Sequence, residues 1–401
     1  MPLPSLDARH RTVAALGVAQ TLAWASSYYL PALLAQAMAR DLGLRSSATV
    51  FAAFSVALLA SAVVGPYAGR CIDRWGGRPV LMLSNGVFAL GLLALSQAQG
   101  LVSLFGAWLI LGLAMGGGLY EAAFATLVRL YGREARNSIT GITLIAGFAS
   151  TVGWPLTGWL EAHWGWRAAC VAWAGLHLLL ALPLNFSVPR AQGLAAAAPE
   201  PAGAQEPPVA EDVPAGAPAW RSVLILSWVF AVTWFISTAM AAHLPRLLMA
   251  GGVSLAAAVA VGALIGPAQV AARLLEFGVL RHVHPLLSAR LATLLHPVAA
   301  ALLVLLGAPL ASAFALLHGA GNGILTIAKG TLPLVLFGPQ GYGQRQGWLM
   351  VPARVAQALA PWLFGLCLDR WGAQALWLSC GLGLLAFLAL LALPKPLPDR
   401  T

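Results

Sequence analysis

Gly69-Arg70-Cys71-Ile72-Asp73-Arg74-Trp75-Gly76-Gly77-Arg78-Pro79 lies between two long apolar stretches and reads as a tight basic turn. Arg70, Arg74 and Arg78 suit the anionic cytoplasmic leaflet of a bilayer, and Gly76 and Gly77 permit a sharp reversal. Asp73 is placed to pair with an arginine or with a neighbouring helix N-terminus. A turn of this kind joins two membrane helices. The composition agrees: of 401 residues 60% are hydrophobic and 9% charged, more apolar material than a soluble core can use. The net charge of +10 is scattered through short loops. It forms no contiguous basic face with interleaved aromatic residues, which argues against a nucleic-acid partner and for a lipid bilayer. Cys71, Cys170, Cys367 and Cys380 show no metal-ligand spacing and read as reduced packing residues.

Apolar runs of about 20 residues, the length that crosses ~30 Å of hydrocarbon, occur at 12–36, 47–69, 79–98, 102–128, 138–160, 167–187, 221–244, 254–276, 285–306, 309–336, 345–367 and 373–394. Met1 to Arg11 is polar, and the run after it is too long for a signal-peptide core and has no evident cleavage site, so it is expected to remain as the first span. With the N-terminus inside, 16 of the 23 Lys and Arg fall on the inner side. Only Arg40, Arg45, Arg167, Arg246 and Arg370 fall outside, and Lys329 and Arg354 lie within spans. Positive residues thus mark the cytoplasmic face, with both termini on it.

The stretch from Ser187 to Trp220 is rich in Ala, Pro, Gly and Glu without apolar periodicity, and reads as a flexible linker over 187–220. It separates an N-terminal half, 1–186, from a C-terminal half, 221–401, and the halves echo each other. Gly158 to Gly165 recurs as Gly365 to Gly372, and Tyr131-Gly132 as Phe337-Gly338. The opening turn has a worn second copy, in which Arg273, Glu276 and Arg281 stand for Arg70, Asp73 and Arg78.

The turn with its repeat resembles the signature Gly-x-x-x-Asp-Arg-x-Gly-Arg-Arg of the major facilitator superfamily of secondary transporters, with Gly77 where that family usually has a basic residue. The resemblance covers essentially the whole chain. It implies an all-α polytopic membrane protein of twelve helices in two pseudo-symmetric six-helix halves, with a substrate site at the midplane. It also implies a gating role for Gly69, Arg70, Asp73, Arg74, Gly76, Arg78, Arg273 and Glu276, beside the plain topogenic reading of the arginines.

Ionisable groups inside a span cost about 2.5 kcal/mol or more on insertion scales, so they usually have a task. Among the acids only Glu121 sits deep in a span, in Met115-Gly116-Gly117-Gly118-Leu119-Tyr120-Glu121, where the glycines allow close helix approach or a local break. Lys329 is the only lysine in a span, and the repeat offset of 206 puts Glu121 level with Ile327. The resemblance places helices 1, 4, 7 and 10 around a central cavity, where Glu121 and Lys329 are expected to pair. His318, Asn322 and Lys329 share one helical face, as do Arg354 and Gln357, and Gln20, Trp24 and Tyr28. With Tyr120 these are the candidate substrate-binding or coupling residues. Each also has a packing reading: a structural ion pair for Glu121 and Lys329, backbone pairing for Arg354, a structural hydrogen bond for His318, and interhelical contact for the aromatic residues.

The expected function is secondary active transport of a small organic solute across the inner membrane, coupled to protons through Glu121. A cavity with Lys329 and Arg354 against one carboxylate favours an organic anion. The rival is proton-antiport export of lipophilic drugs or metabolites. Gly153-Trp154-Pro155-Leu156-Thr157-Gly158 is similar to the glycine-proline motif of proton-coupled exporters, although the preceding glycine, Gly147, breaks its spacing. A transport-dead receptor of the same fold is a third reading. No P-loop, His-x-x-x-His or serine-histidine-acid set appears, so neither an enzyme nor a metal or cofactor is expected. The expected partners are a small-molecule substrate, protons and lipid, around a monomeric chain.

Overall fold

A computed structural model describes residues 6–190, 220–279 and 283–393. Those residues contain helices and turns and no strand. In a hydrocarbon environment every backbone polar group must be satisfied internally, and a helix does so within one segment. Eight continuous helical stretches are long and apolar enough to cross a membrane, the longest, Leu101–Phe186, holding three expected spans and Tyr342–Leu391 holding two. Together they account for the second to the twelfth span.

The first span is two helices, α1 (Leu6–Ser26) and α2 (Leu30–Asp41), broken at 27–29. The second and third are α3 (Ala48–Trp75) and α4 (Gly77–Ser96). The fourth divides into α5 (Leu101–Gly118) and α6 (Tyr120–Tyr131), and the fifth into α7 (Ala135–Ala146) and the first part of α8 (Ala149–Leu176). The chain reverses inside α8 at Gly165, at φ 81°, and returns as the sixth span, ending in α9 (Leu182–Phe186). The second half comprises α10 (Trp220–Ala250), α11 (Leu255–Ala263) with α12 (Ile265–Gly278), α13 (Pro285–Leu306), α14 (Ala311–Phe337), α15 (Tyr342–Trp371) and α16 (Leu376–Leu391). Of the segment read as a linker, residues 191–219 lie outside the described residues, as does Arg281.

The turn that decides the fold is shorter than the sequence suggests. Helix α3 continues through Arg70, Asp73 and Arg74 to Trp75, α4 begins at Gly77, and the reversal is carried by Gly76 alone, at φ 84°, where a side chain would be strained. The end of the bundle that carries this turn is called the basic end below.

Side chains such as Val63, Leu83, Leu179, Leu305 and Leu385 point outward, as lipid requires, while the interior is rich in small residues. The most extensive pairing in the molecule is α3 against α15, one helix from each half. Their backbones touch because Gly65 and Gly69 face Gly347 and Gly343, and a Cβ on Gly69 would collide with the Gly343 carbonyl. The break in the first span is anchored by buried His177, which hydrogen-bonds Ser26 Oγ at 2.7 Å and Asn85 Oδ1 at 2.8 Å. Single-turn π geometry over His177–Ala181 sets that ring in place.

Candidate functional site

The glycine run in the fourth span permits the local structure that presents Glu121. A Cβ on Gly116, Gly117 or Gly118 would stand 2.7–2.8 Å from side-chain atoms of Val64, Ser84 and Phe88, so α5 lies hard against α3 and α4. At Leu119 the backbone is extended (φ −89°, ψ −167°), and α6 starts afresh at Tyr120. Glu121 therefore sits in the first turn of a helix, where the exposed N–H dipoles favour an anion. The break frees carbonyls of α5, and Gln20 answers one of them, its Nε2 donating to Gly118 O at 2.7 Å.

Arg354 on α15 takes the Glu121 carboxylate. Its Nη2 donates to Oε2 at 2.9 Å and Oε1 at 3.1 Å, with side-chain exposures of 4% for the arginine and 16% for the glutamate. Its Nη1 donates to Gln357 Oε1 at 3.0 Å. The expected pairing of Glu121 with Lys329 is therefore corrected: among the described residues the arginine of the eleventh span, not Lys329, is the ion-pair partner of the carboxylate, because the packing of α15 against α6 brings it nearer. Lys329 is buried, its Nζ has no hydrogen-bond partner, and it rests 4.0 Å from the ring centroid of Trp234. The Arg354 guanidinium lies 5.7 Å from the same ring. One indole thus lies against the basic groups of both Lys329 and Arg354, of which only Arg354 holds the carboxylate. A desolvated ammonium without an anion costs several kcal/mol, and of the three ionisable groups Lys329 is the one without an ion-pair partner among the described residues. A crevice lined by Ser61, Gly116, Glu121, Gly347, Met350 and Arg354 leads to the pair.

The aromatic candidates gather on the other side of this indole. Trp24 stacks on Trp234 at 6.2 Å and packs on Tyr120 at 4.9 Å and Tyr28 at 5.2 Å. The Tyr28 hydroxyl is 3.3 Å from Thr238 Oγ1. Asn322 is half-buried on α14, and His318, further along it, is buried with its Nδ1 3.0 Å from Nδ1 of His296. Sequence reasoning missed Trp234 and His296. Trp234 had a signal, because the seventh span repeats the first and the first carries Trp24; His296 had none.

At the basic end, the halves are tied by side chains from the expected gating set. Asp73 accepts from the backbone N–H of Gly343 at 2.9 Å and Gln344 at 2.8 Å, which are the free donors of the first turn of α15. Burial pushes the Asp73 carboxyl up from its ordinary range, and these two hydrogen bonds pull it part of the way back. Arg273 is buried and donates to Thr143 O at 3.1 Å in the gap between α7 and α8, where any side chain on Gly147 would strike the guanidinium. Arg136 donates to Val283 O at 2.8 Å and lies 3.8 Å from Glu276. Arg74 and Arg78 stay within their own half, over the rings of Trp75 and Phe186. Toward the opposite end, Ser55 donates to Ala358 O at 3.1 Å.

The sequence pattern of the Major Facilitator Superfamily matches residues 16–328. An uncharacterized 38 kDa protein of Thermoproteus tenax is 29% identical over 373 residues, 91% of this chain and 92% of that protein. The multidrug resistance protein fnx1 of Schizosaccharomyces pombe is 30% identical over 113 residues, 28% of this chain and 21% of the relative. Among solved structures, the human organic anion transporter MFSD10 superposes with a TM-score of 0.73 at 19% identity, covering 95% of this chain and 99% of that one. The proton:xylose symporter XylE superposes with a TM-score of 0.74 at 11% identity, with 95% of each chain covered. With the family pattern spanning most of its length and the twelve-span fold shared with these transporters, the chain belongs to the Major Facilitator Superfamily.

Proposed function

We propose that the protein is a proton-coupled transporter of small organic anions, working by alternating access between halves 1–186 and 221–401. The observation that carries this reading is the three-charge centre: Arg354 on Glu121, with Lys329 left over above Trp234. A substrate carboxylate arriving there satisfies Lys329 and competes with Glu121 for Arg354. The displaced Glu121 then takes a proton, because an ionised carboxylate without a partner in that setting is unfavourable. Loading adds one negative charge and one proton, so the centre carries the same net charge empty and loaded. Transport in this scheme follows the pH gradient and is insensitive to membrane voltage. The positive-inside asymmetry supports an inner-membrane orientation with the basic end and both termini in the cytoplasm. The ties of Asp73, Arg273 and Arg136 then hold the cytoplasmic side closed, and their release opens it.

In proteoliposomes with an imposed inward proton gradient, labelled carboxylates are expected to accumulate. Arg354→Ala and Lys329→Ala abolish uptake, and Glu121→Gln leaves flux that no longer responds to the gradient. Unchanged gradient-driven uptake in all three variants overturns the scheme. The cluster of Trp24, Tyr28, Tyr120 and Trp234 and the multidrug-resistance relatives favour a second reading, export of lipophilic compounds by proton antiport. Extrusion of lipophilic cations with no carboxylate uptake selects that reading. A centre with two cations against one carboxylate supports the anion reading over it.

A further inference from the structure

Inside the C-terminal half, between α10, α13, α14 and α16, lies a second pocket of about 20 Å³, room for one water-sized polar group. Its polar wall is made by Thr233, Ser237, Thr293, His296, His318 and Asn322, and no carboxylate, lysine or arginine lines it. The two imidazoles face each other through Nδ1 at 3.0 Å, so one donates and the other accepts. His296 is 7% exposed, and its Nε2 has no hydrogen-bond partner among the described residues. A buried ring nitrogen left open is unfavourable and is normally answered by a ligand or water.

The charged groups on the surrounding elements lie elsewhere. Arg221 and Arg246 sit toward the ends of α10, Arg290 on α13 donates to Leu390 O, Arg273 and Glu276 on α12 serve the basic end, and α16 has none. An ionised group entering the pocket would be desolvated without a counter-charge, whereas a hydroxyl or carbonyl would find donors and acceptors on three helices. Two of its residues lie along the helices that carry the charged centre. Thr233 precedes Trp234, the ring beneath Lys329, and Asn322 lies seven residues from Lys329 on the same face of α14.

We propose that this pocket receives the uncharged, hydroxyl- or carbonyl-bearing end of a substrate whose carboxylate sits on Lys329 and Arg354. The preferred substrates are then extended hydroxy- or oxo-monocarboxylates. Seven residues rise about 10 Å, less the reach of a lysine that leans back toward Asn322, which suits a chain of roughly four to seven atoms. The inference rests on the anion reading above and adds a substrate class to it.

The test is gradient-driven uptake of labelled hexanoate and 6-hydroxyhexanoate by the full chain in proteoliposomes, with unlabelled adipate as competitor. The wild type is expected to favour the hydroxylated acid by at least tenfold in kcat/KM, since a site built to hydrogen-bond a hydroxyl rejects the analogue lacking it. Adipate, with a charge at its far end, is expected to compete poorly. Asn322→Leu and the milder Ser237→Ala should narrow the preference by raising KM for the hydroxylated acid. Equal handling of the two acids by the wild type, strong competition by adipate, or a preference that survives both substitutions in protein of wild-type heat stability overturns the proposal. Uptake of neither acid overturns the anion reading as well. Uptake of both without discrimination overturns only the pocket assignment.

Discussion

At the residue scale, the Glu121 and Arg354 pair is stabilising only as a pair. Glu121→Gln strands a guanidinium of 4% side-chain exposure, and removing one partner of a buried pair costs about 3–5 kcal/mol. The thermal-unfolding midpoint of the purified protein should therefore fall in Glu121→Gln and recover in Glu121→Gln with Arg354→Gln, although the double variant cannot transport. Additive losses would show that the two side chains do not act together. Trp234→Leu removes the ring beneath Lys329, an interaction of about 2 kcal/mol when desolvated. It should weaken carboxylate binding, read as a raised KM, more than it lowers heat stability. The three charges were legible in the sequence because ionised groups within apolar spans are rare and costly. Their pairing was not, because a repeat offset fixes depth along the membrane normal, while the angular position of a side chain depends on how helices pack.

At the element scale, twelve spans could be read from run length and from the placement of arginines, since the bilayer imposes both. The break at Leu119 is marked by the glycine run before it, whereas those at 27–29, between α7 and α8, and at Leu264 do not interrupt the apolar runs that define the spans. The basic turn also proved helical almost throughout, because arginines are good helix formers and only Gly76 needs a positive φ. The gap between α7 and α8 exposes a carbonyl that Arg273 fills, and Gly147 leaves space for it. Gly147→Val should expel the guanidinium and open the basic end. With native cysteines replaced, spin labels at Arg133→Cys and Gln340→Cys, one in each half, should report a longer separation in this variant than in its Gly147 parent. An unchanged distance distribution would mean that the Arg273 contact does not hold the halves.

At the scale of the whole molecule, the tied basic end is expected to respond to acid. Burial raises the Asp73 carboxyl while it is docked on α15, and undocking returns it to water. Protons therefore bind the docked form more readily, and the docked form gains population as pH falls through the raised value. The same label pair should shift toward short distances on acidification, with Asp73→Asn flattening the response. A shift in the opposite direction would show that loss of the charge-assisted hydrogen bonds outweighs relief of desolvation. The interruption at Leu119 has a further consequence for motion on this scale. It makes the fourth span two rods joined at one extended residue, and the ion pair that fastens the span to the opposite half is two residues from that joint. Under the proposed proton coupling, releasing that pair would free the joint at the same place, and proton uptake and bending of the span would become one mechanical event with no relay between them.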